Sequence, residues 1–338
     1  MKIAIVILNW NGSAMLKRYM PTLIKYSAMD GVQIYVADNA STDDSIDMMH
    51  REFPDIPLIL LEKNWGFAKG YNMALRQVEA EYYILLNSDV EVSEDWLLPL
   101  LSYMEVHPEV AACQPKLLDF KAPEMFEYAG GAGGYMDCLG YMFCRGRAFE
   151  TLEKDEGQYD TIASVFWATG ACLMIRSSDY WAAGALDDRF FAHQEEVDLC
   201  WRLRSRNRKI VCIPESVVYH VGGATLNKSN PYKTFLNFRN NLLMLYKNLP
   251  ENELGKVMRA RFWLDILAAL MFLCKFHWGD FKAVFRARRE FRKLKPEFRD
   301  SREENLKEAS ITDIPERVNF SLLWRYYAKH KKTYSQLM

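Results

Sequence analysis

The chain has 338 residues, with 43 Lys and Arg against 44 Asp and Glu, and half of its residues are hydrophobic while 26% are charged. That composition excludes disordered, collagen-like and low-complexity chains and describes a folded protein, long enough for one large domain with an appendage or two modest domains. The charge is uneven: residues 228–338 hold 23 Lys and Arg against 12 Asp and Glu, so an acidic body precedes a basic tail. Such a tail attracts polyanions by summing the fields of its cations, and its alternative is the solvated face of a few surface helices.

An unbroken run of six apolar residues, 3–8, precedes Asn9, too few for the apolar core of a signal peptide, and reads as a buried first strand. Strand-like runs at 3–8, 33–37, 58–61 and 82–86 then alternate with helical patterns at 14–26, 44–52 and 70–78. Each parallel strand buried on both faces needs a crossover helix to reach the next, so this alternation predicts an α/β fold with a mostly parallel sheet. Ser93-Glu94-Asp95-Trp96 reads as a capped helix start, 130–146 as a Gly-rich segment, 171–175 and 209–213 as strands, and 196–206 as a helix. From about residue 231 glycine becomes scarce and helical periodicity takes over, over 236–247, 256–275 and 280–293. The sequence therefore predicts an α/β domain over 1–230 and a helical extension over 231–338. The apolar stretch at 262–276 contains Asp265 and Lys275 and falls short of the ~20 residues that span a bilayer. The seven cysteines are scattered without a CxxC pair, which predicts reduced, mostly buried thiols in a cytoplasmic protein.

Ligands of open parallel sheets sit off the carboxyl ends of the strands. There the chain places Asn9-Trp10-Asn11-Gly12, Asp38-Asn39-Ala40-Ser41-Thr42-Asp43, Asn64-Trp65-Gly66-Phe67 and Asn87-Ser88-Asp89. Taken singly, these residues are explained as well by Asx turns and helix caps. Together they gather carboxylates and amides where a nucleotide and a divalent cation can be held. No GxGxxG or GxxxxGK[ST] is present, so neither a dinucleotide fold nor a P-loop is supported.

Four elements in order, 38–43, 64–72, 87–89 and Glu195-Glu196-Val197-Asp198, resemble the signature of inverting family 2 glycosyltransferases of the GT-A fold, in the rhamnosyltransferase-like branch, over roughly residues 1–250. The resemblance implies a nucleotide-diphosphate-sugar donor, with Asp38 on the nucleobase or ribose and Asn9, Asn11, Asn39, Asn64, Gly66, Gly70, Asn72, Asn87 and Ser88 shaping the donor pocket. It implies that Asp89, at the position of the family's Asp-x-Asp motif with Asn87 replacing the first Asp, holds Mg²⁺ or Mn²⁺, and that His220, in Tyr219-His220-Val221-Gly222-Gly223-Ala224-Thr225, completes that site. A cation bridging the diphosphate neutralises charge on the leaving group. Glu196 stands where the family places its general base, usually an Asp. Asp198, on another face of the predicted helix, is the second catalytic candidate or a supporting residue paired with Arg202. Arg145, Arg147 and Arg239-Asn240 resemble positions near donor or acceptor without a transferable role, and solvated surface arginines are the alternative.

The expected reaction is transfer of rhamnose from dTDP-rhamnose, or of a hexose from a UDP-sugar, onto a cell-surface polysaccharide or lipid-linked glycan precursor. The rivals are a sugar-phosphate nucleotidyltransferase, which would want a Gly-rich basic loop after the first strand, and an inactive sugar-binding scaffold. Expected partners are the donor, the acceptor, an anionic membrane surface at the inner face of the cytoplasmic membrane, and a second copy of the chain; nucleic acid is not expected.

Overall fold

A computed structural model describes residues 1–222 and 230–338. The main sheet contains β1 (Ile3–Asn9), β2 (Val32–Asp38), β3 (Leu58–Leu60), β4 (Tyr82–Leu86), β5 (Val90–Val92) and β6 (Val110–Asp119). A second sheet begins with β7 (Gly134–Asp137), β8 (Met142–Cys144), β9 (Arg147–Ala148) and β10 (Thr151–Leu152), after which β11 (Ala163–Ser164), β12 (Cys172–Arg176) and β13 (Lys209–His220) return to the first. The spatial order is β11-β13-β6-β12-β4-β1-β2-β3, with β5 paired to β13. β1 runs parallel to β2 and β4, and β6 parallel to β13. β12 lies antiparallel between β4 and β6, which makes the sheet mixed.

The helices are α1 (Ser13–Tyr26), α2 (Ser45–Glu52), α3 (Gly66–Leu75), α4 (Leu97–Val106), α5 (Ser177–Ala182), α6 (Glu195–Ser205), α7 (Pro231–Asn248), α8 (Glu251–Cys274), α9 (Trp278–Leu294), α10 (Arg299–Glu308) and α11 (Tyr334–Leu337). Side chains alternate across β1, so Ile3, Ile5 and Ile7 pack with Leu16, Met20 and Leu23 of α1. Ala4 and Val6 face the other layer with Ala68, Tyr71 and Ala74 of α3. Each isoleucine so buried contributes about 1.5–3 kcal/mol.

Several elements differ from the sequence reading. β6 is a full strand in a region where none was expected, β13 continues to His220 across a bulge between Ile213 and Val217, and α3 starts at Gly66 rather than 70. α4 starts after Trp96 with no side-chain cap, so the Ser93 capping expectation fails. The tail is not uniformly helical either. After α10 the chain returns to the second sheet, where β14 (Arg317–Val318) pairs with β7, Leu322 N–H donates to Asp137 Oδ2 at 2.7 Å and Tyr334 N–H to Glu153 Oε1 at 2.8 Å. Leu242, Leu243 and Leu245 of α7 share one core with Phe166, Val197 and Leu199 of the preceding segment. The Gly-rich segment owes its composition in part to Gly134, where a Cβ would sit 2.1 Å from the Trp167 ring. Five of the seven thiols are buried, whereas Cys274 is exposed, and among the described residues all seven are free.

Candidate active site

The carboxyl ends of β1, β2 and β4 lie side by side, and register sets Asn9 directly opposite Asp38. Both side chains are buried. Asn9 Nδ2 donates to Asp38 Oδ2 at 3.0 Å and to Ser41 Oγ at 3.2 Å, and Asp38 Oδ1 accepts from the Ser41 N–H at 2.8 Å. Asn9 Oδ1 is buried without a partner, an acceptor left open at a strand tip. Asn11, in the left-handed region at φ 53°, bonds the neighbouring loop: its Oδ1 accepts from the Thr42 N–H at 2.7 Å and its N–H donates to Ser41 Oγ at 2.9 Å.

Three amides expected at the donor make hydrogen bonds inside the protein. Asn39 Nδ2 donates to Asn64 Oδ1 at 3.1 Å and to the Gly66 carbonyl at 3.0 Å, while its Oδ1 accepts from the Trp65 N–H at 2.9 Å. Asn64 Oδ1 also accepts from the Gly66 N–H at 2.9 Å. Asn72 donates to the Leu186 carbonyl at 2.7 Å and to Asp188 Oδ1 at 2.5 Å, and accepts from Tyr180 Oη at 2.5 Å. Asn39 and Asn72 are buried, and through these bonds they and the Asn64 carbonyl oxygen brace the loop from within. Gly66, at φ 77°, lets the chain pass Phe191, whose ring would lie 2.5 Å from a Cβ, and Gly70 packs on Leu8. The Phe67 N–H donates to the Phe191 carbonyl at 2.6 Å, which ties the 64–72 loop to the segment ahead of α6.

At the β4 tip, antiparallel pairing of β13 with β5 sets His220 opposite Val90 and so beside Asp89. His220 Nε2 lies 3.2 Å from Asp89 Oδ1 and 3.5 Å from Asn87 Nδ2, and its Nδ1 lies 3.2 Å from Glu127 Oε1. Burial alone would lower the His220 pKa, but the two carboxylates outweigh it and raise the value to about 10. Burial pushes the Asp89 carboxyl up, and the imidazole more than offsets this, so its pKa is lowered. Ser88 is half-buried beside Gly12. Gly223-Ala224-Thr225 lie outside the described residues.

Glu127 was not found by sequence reasoning. It lies in the loop after β6, its Oε2 accepts from the Ala129 N–H at 2.6 Å, and it meets His220 across 93 residues of sequence. Asp89 and Glu127 offer hard carboxylate oxygens of the kind that suit Mg²⁺ or Mn²⁺, and His220, protonated between them, would have to release a proton before its imidazole could join them as a ligand. Among the described residues no three His, Cys, Asp or Glu side chains are arranged to enclose an ion by themselves, so a bound cation would take its remaining ligands from diphosphate and water.

Glu195 and Glu196 open α6. Burial pushes the Glu196 carboxyl above its usual range against the pull of backbone amides, including that of Gly170, and its Oε2 is enclosed without a partner. Burial and the charge of Glu196 raise Glu195 well above its ordinary value. A Cβ at Gly170 would lie 3.8 Å from Glu196 Cβ, and the carbonyl of the next residue, Ala171, accepts from the Asn87 N–H at 3.0 Å. The α6 start and the Asn87-Ser88-Asp89 tip therefore meet across two residues of chain.

The approach to Glu196 is strained, since Phe191, His193 and Gln194 all sit at φ of 67–72° without being glycine. α7 holds it. Asn240 Nδ2 donates to the carbonyls of Phe190 at 3.0 Å, Ala192 at 2.8 Å and His193 at 2.8 Å, and Asn241 Nδ2 to Gln194 Oε1 at 3.1 Å. Burial and the charge of Lys233 lower His193 to a pKa of about 4, so its ring is neutral.

Asp198 is fully buried and accepts from Arg202 Nε at 3.0 Å, Lys247 Nζ at 2.8 Å and Asn248 Nδ2 at 2.7 Å. This corrects its catalytic candidacy: the carboxylate is saturated and joins α6 to α7, with the i,i+4 partner Arg202 expected for a supporting role. Arg145 and Arg147 are buried rather than solvated, the first donating to the Ala132 carbonyl at 2.7 Å, the second lying over the Tyr128 ring.

Comparison with known proteins agrees with this geometry. Residues 4–127 match the family described as Glycosyl transferase family 2. Over 234 residues the chain is 24% identical to the N-acetylglucosaminyl-diphospho-decaprenol L-rhamnosyltransferase of Mycobacterium tuberculosis, covering 64% of this chain and 75% of that protein. GalNAc-T7, crystallised with UDP, GalNAc and Mn²⁺, superposes with a TM-score of 0.56 at 16% identity, over 73% of this chain and 48% of that one. Residues 1–349 of S. aureus TarS superpose with a TM-score of 0.53 at 14% identity, over 91% of this chain and 89% of that one. Asp38 and Asp89 lie inside the segment that matches the family 2 glycosyltransferases, the sheet follows a GT-A plan, and the chain is similar to a rhamnosyltransferase over about two thirds of its length.

Proposed function

We propose that this glycosyltransferase moves rhamnose or a hexose from a nucleotide-diphosphate donor, with inversion and with a divalent cation, onto a cell-surface or lipid-linked glycan. In this reading it works in the cytoplasm, against an acceptor carried at the inner face of the membrane. The observation that carries it is that Gly170-Ala171 joins the Asn87-Ser88-Asp89 tip, where Asp89 pairs with His220, to the helix start that bears Glu196.

Asp38 and the open acceptor of Asn9 would hold the nucleoside at the β1–β2 edge. Asp89 and His220 would hold Mg²⁺ or Mn²⁺, which when bound supplies positive charge against the leaving diphosphate. Glu196 accepts the proton of the acceptor hydroxyl as that oxygen attacks the anomeric carbon from the face opposite the diphosphate. Its raised pKa suits the role, because a base nearer the working pH both stays available and takes the proton more firmly. The test is turnover of a panel of nucleotide sugars with and without Mn²⁺. Cation-dependent sugar transfer lost in Glu196→Gln supports the reading, and transfer retained by that variant refutes the assignment.

A further inference from the structure

α8 is built inside out. Arg261 and Asp265 point into the protein, where Asp265 is fully buried against Arg288 and Arg261. Trp263, Leu267, Leu270 and Cys274, at i, i+4, i+7 and i+11, form one stripe on the outer face, with Trp263 69% and Leu267 55% exposed. At the turn into α9 the aromatic rings of Phe276 and Trp278 are also exposed, the former at 80%. A patch of this kind on a soluble chain marks a contact surface.

Its surroundings identify the contact. Residues 256–293 hold 10 Lys and Arg against 3 Asp and Glu, and none of the three carboxylates is free. Asp265 is paired internally, Asp280 accepts from Thr234 Oγ1 at 2.6 Å, and Glu290 lies 3.7 Å from Lys293. Lys275, Lys282 and Arg289 of the same hairpin are exposed. A second copy of the chain laid on this face would bring cations against cations, whereas an anionic surface complements both the apolar stripe and its rim. No helix among the described residues is long and apolar enough to cross a membrane, and the buried Arg261 and Asp265 keep α8 seated on the protein.

We propose that the α8–α9 hairpin docks in the headgroup layer of an anionic lipid membrane, with Trp263, Leu267, Leu270 and Phe276 entering the acyl boundary and the flanking cations meeting lipid phosphates. This stands whether or not the sugar-transfer reading does. The test is cosedimentation of the full chain with vesicles of phosphatidylglycerol and phosphatidylcholine, and with phosphatidylcholine alone. The protein pellets with the anionic vesicles, weakly or not at all with the neutral ones, and binding falls as salt rises. Trp263→Ser/Leu267→Ser and Lys282→Glu/Arg289→Glu each reduce the bound partition coefficient roughly tenfold or more, while melting temperature and donor hydrolysis in solution stay as in the parent. Three outcomes overturn the proposal: no binding to either vesicle; equal binding to both, unchanged by the variants; or a dimer in sedimentation velocity that Trp263→Ser/Leu267→Ser dissociates in a protein that does not bind vesicles.

Discussion

Replacing Asn240 by Ala removes one side-chain amide that three carbonyls of the 190–193 turn share. The site is fully buried, so water does not take the place of the lost donor. The Phe190 carbonyl keeps Arg239 Nη2 and the Ala192 N–H, both at 2.8 Å, so the Ala192 and His193 carbonyls are the two that lose their donor, and at about 1–3 kcal/mol each the expected loss of stability is about 2–6 kcal/mol. The consequence for catalysis is larger than a stability change implies. Phe191, His193 and Gln194 each hold left-handed backbone worth about 1–3 kcal/mol of strain, which the clamp opposes. Once released, the turn relaxes, and a bias of only 1.4 kcal/mol toward the relaxed form leaves about a tenth of the molecules with Glu196 in place. The expected result is a kcat lowered at least about tenfold, with donor KM within about threefold because Asp38 and Asn9 do not touch α7. Denaturant titration gives the first quantity and single-turnover sugar transfer the second. A variant that loses the full stability increment but keeps kcat within about twofold of the parent refutes the idea that this clamp poises the base.

Asp89→Ala, or excess chelator on the native protein, should abolish transfer; full activity in chelator removes the cation from the mechanism. Glu196→Gln should lower turnover roughly 10²–10⁴-fold with donor binding preserved, as shown by isothermal titration. Because the Glu196 pKa is raised in the folded state, kcat should climb with pH through a value above the ordinary carboxylate range, and that limb should vanish in the Gln variant. The same sign applies to stability: a carboxyl raised by folding costs stability as pH increases past its unfolded pKa, so Glu196→Gln should gain stability relative to the parent above about pH 4–5 in urea titrations. Glu127→Gln should weaken Mn²⁺ binding about 10–100-fold, read by paramagnetic resonance of the free ion, since Glu127 orients His220 rather than contacting substrate; unchanged affinity would reduce it to a packing residue.

The parallel half of the sheet was legible because strands buried on both faces appear as unbroken apolar runs, and β1 and β4 are of that kind. β6 was not, because Gln114, Pro115 and Lys116 interrupt it. These polar groups are buried only by virtue of partners far along the chain: Gln114 Oε1 accepts from the Thr169 N–H at 2.9 Å, and Lys116 Nζ donates to Asp155 at 2.7 Å and Asp160 at 2.6 Å. In the site, Asp38, Asp89 and Glu196 were legible from position after a strand or at a helix start. Asn39, Asn64 and Asn72 have the same chemistry and similar positions, and only the hydrogen-bond inventory separates a donor contact from a loop brace. Glu127 and the clamp of Asn240 carry no local pattern at all, since each acquires meaning from a register or a crossing set elsewhere.

The return of residues 317–318 to β7 bears on how the protein is made. β7 and its partner strand are separated by about 180 residues of intervening chain, so the second sheet keeps an open edge throughout synthesis of α5 through α10. An uncovered edge is a template for pairing with any neighbouring chain. Loop closure over such a span is also slow, since its entropic cost is met before any contact rewards it. On the ribosome, the segment bearing Glu196 emerges before Asn240, which shapes it, and both emerge before the strand that closes the sheet. Nascent chains that stop short of residue 318 therefore expose β7, and pulse-labelled intermediates of that length should be the species that chaperones retain.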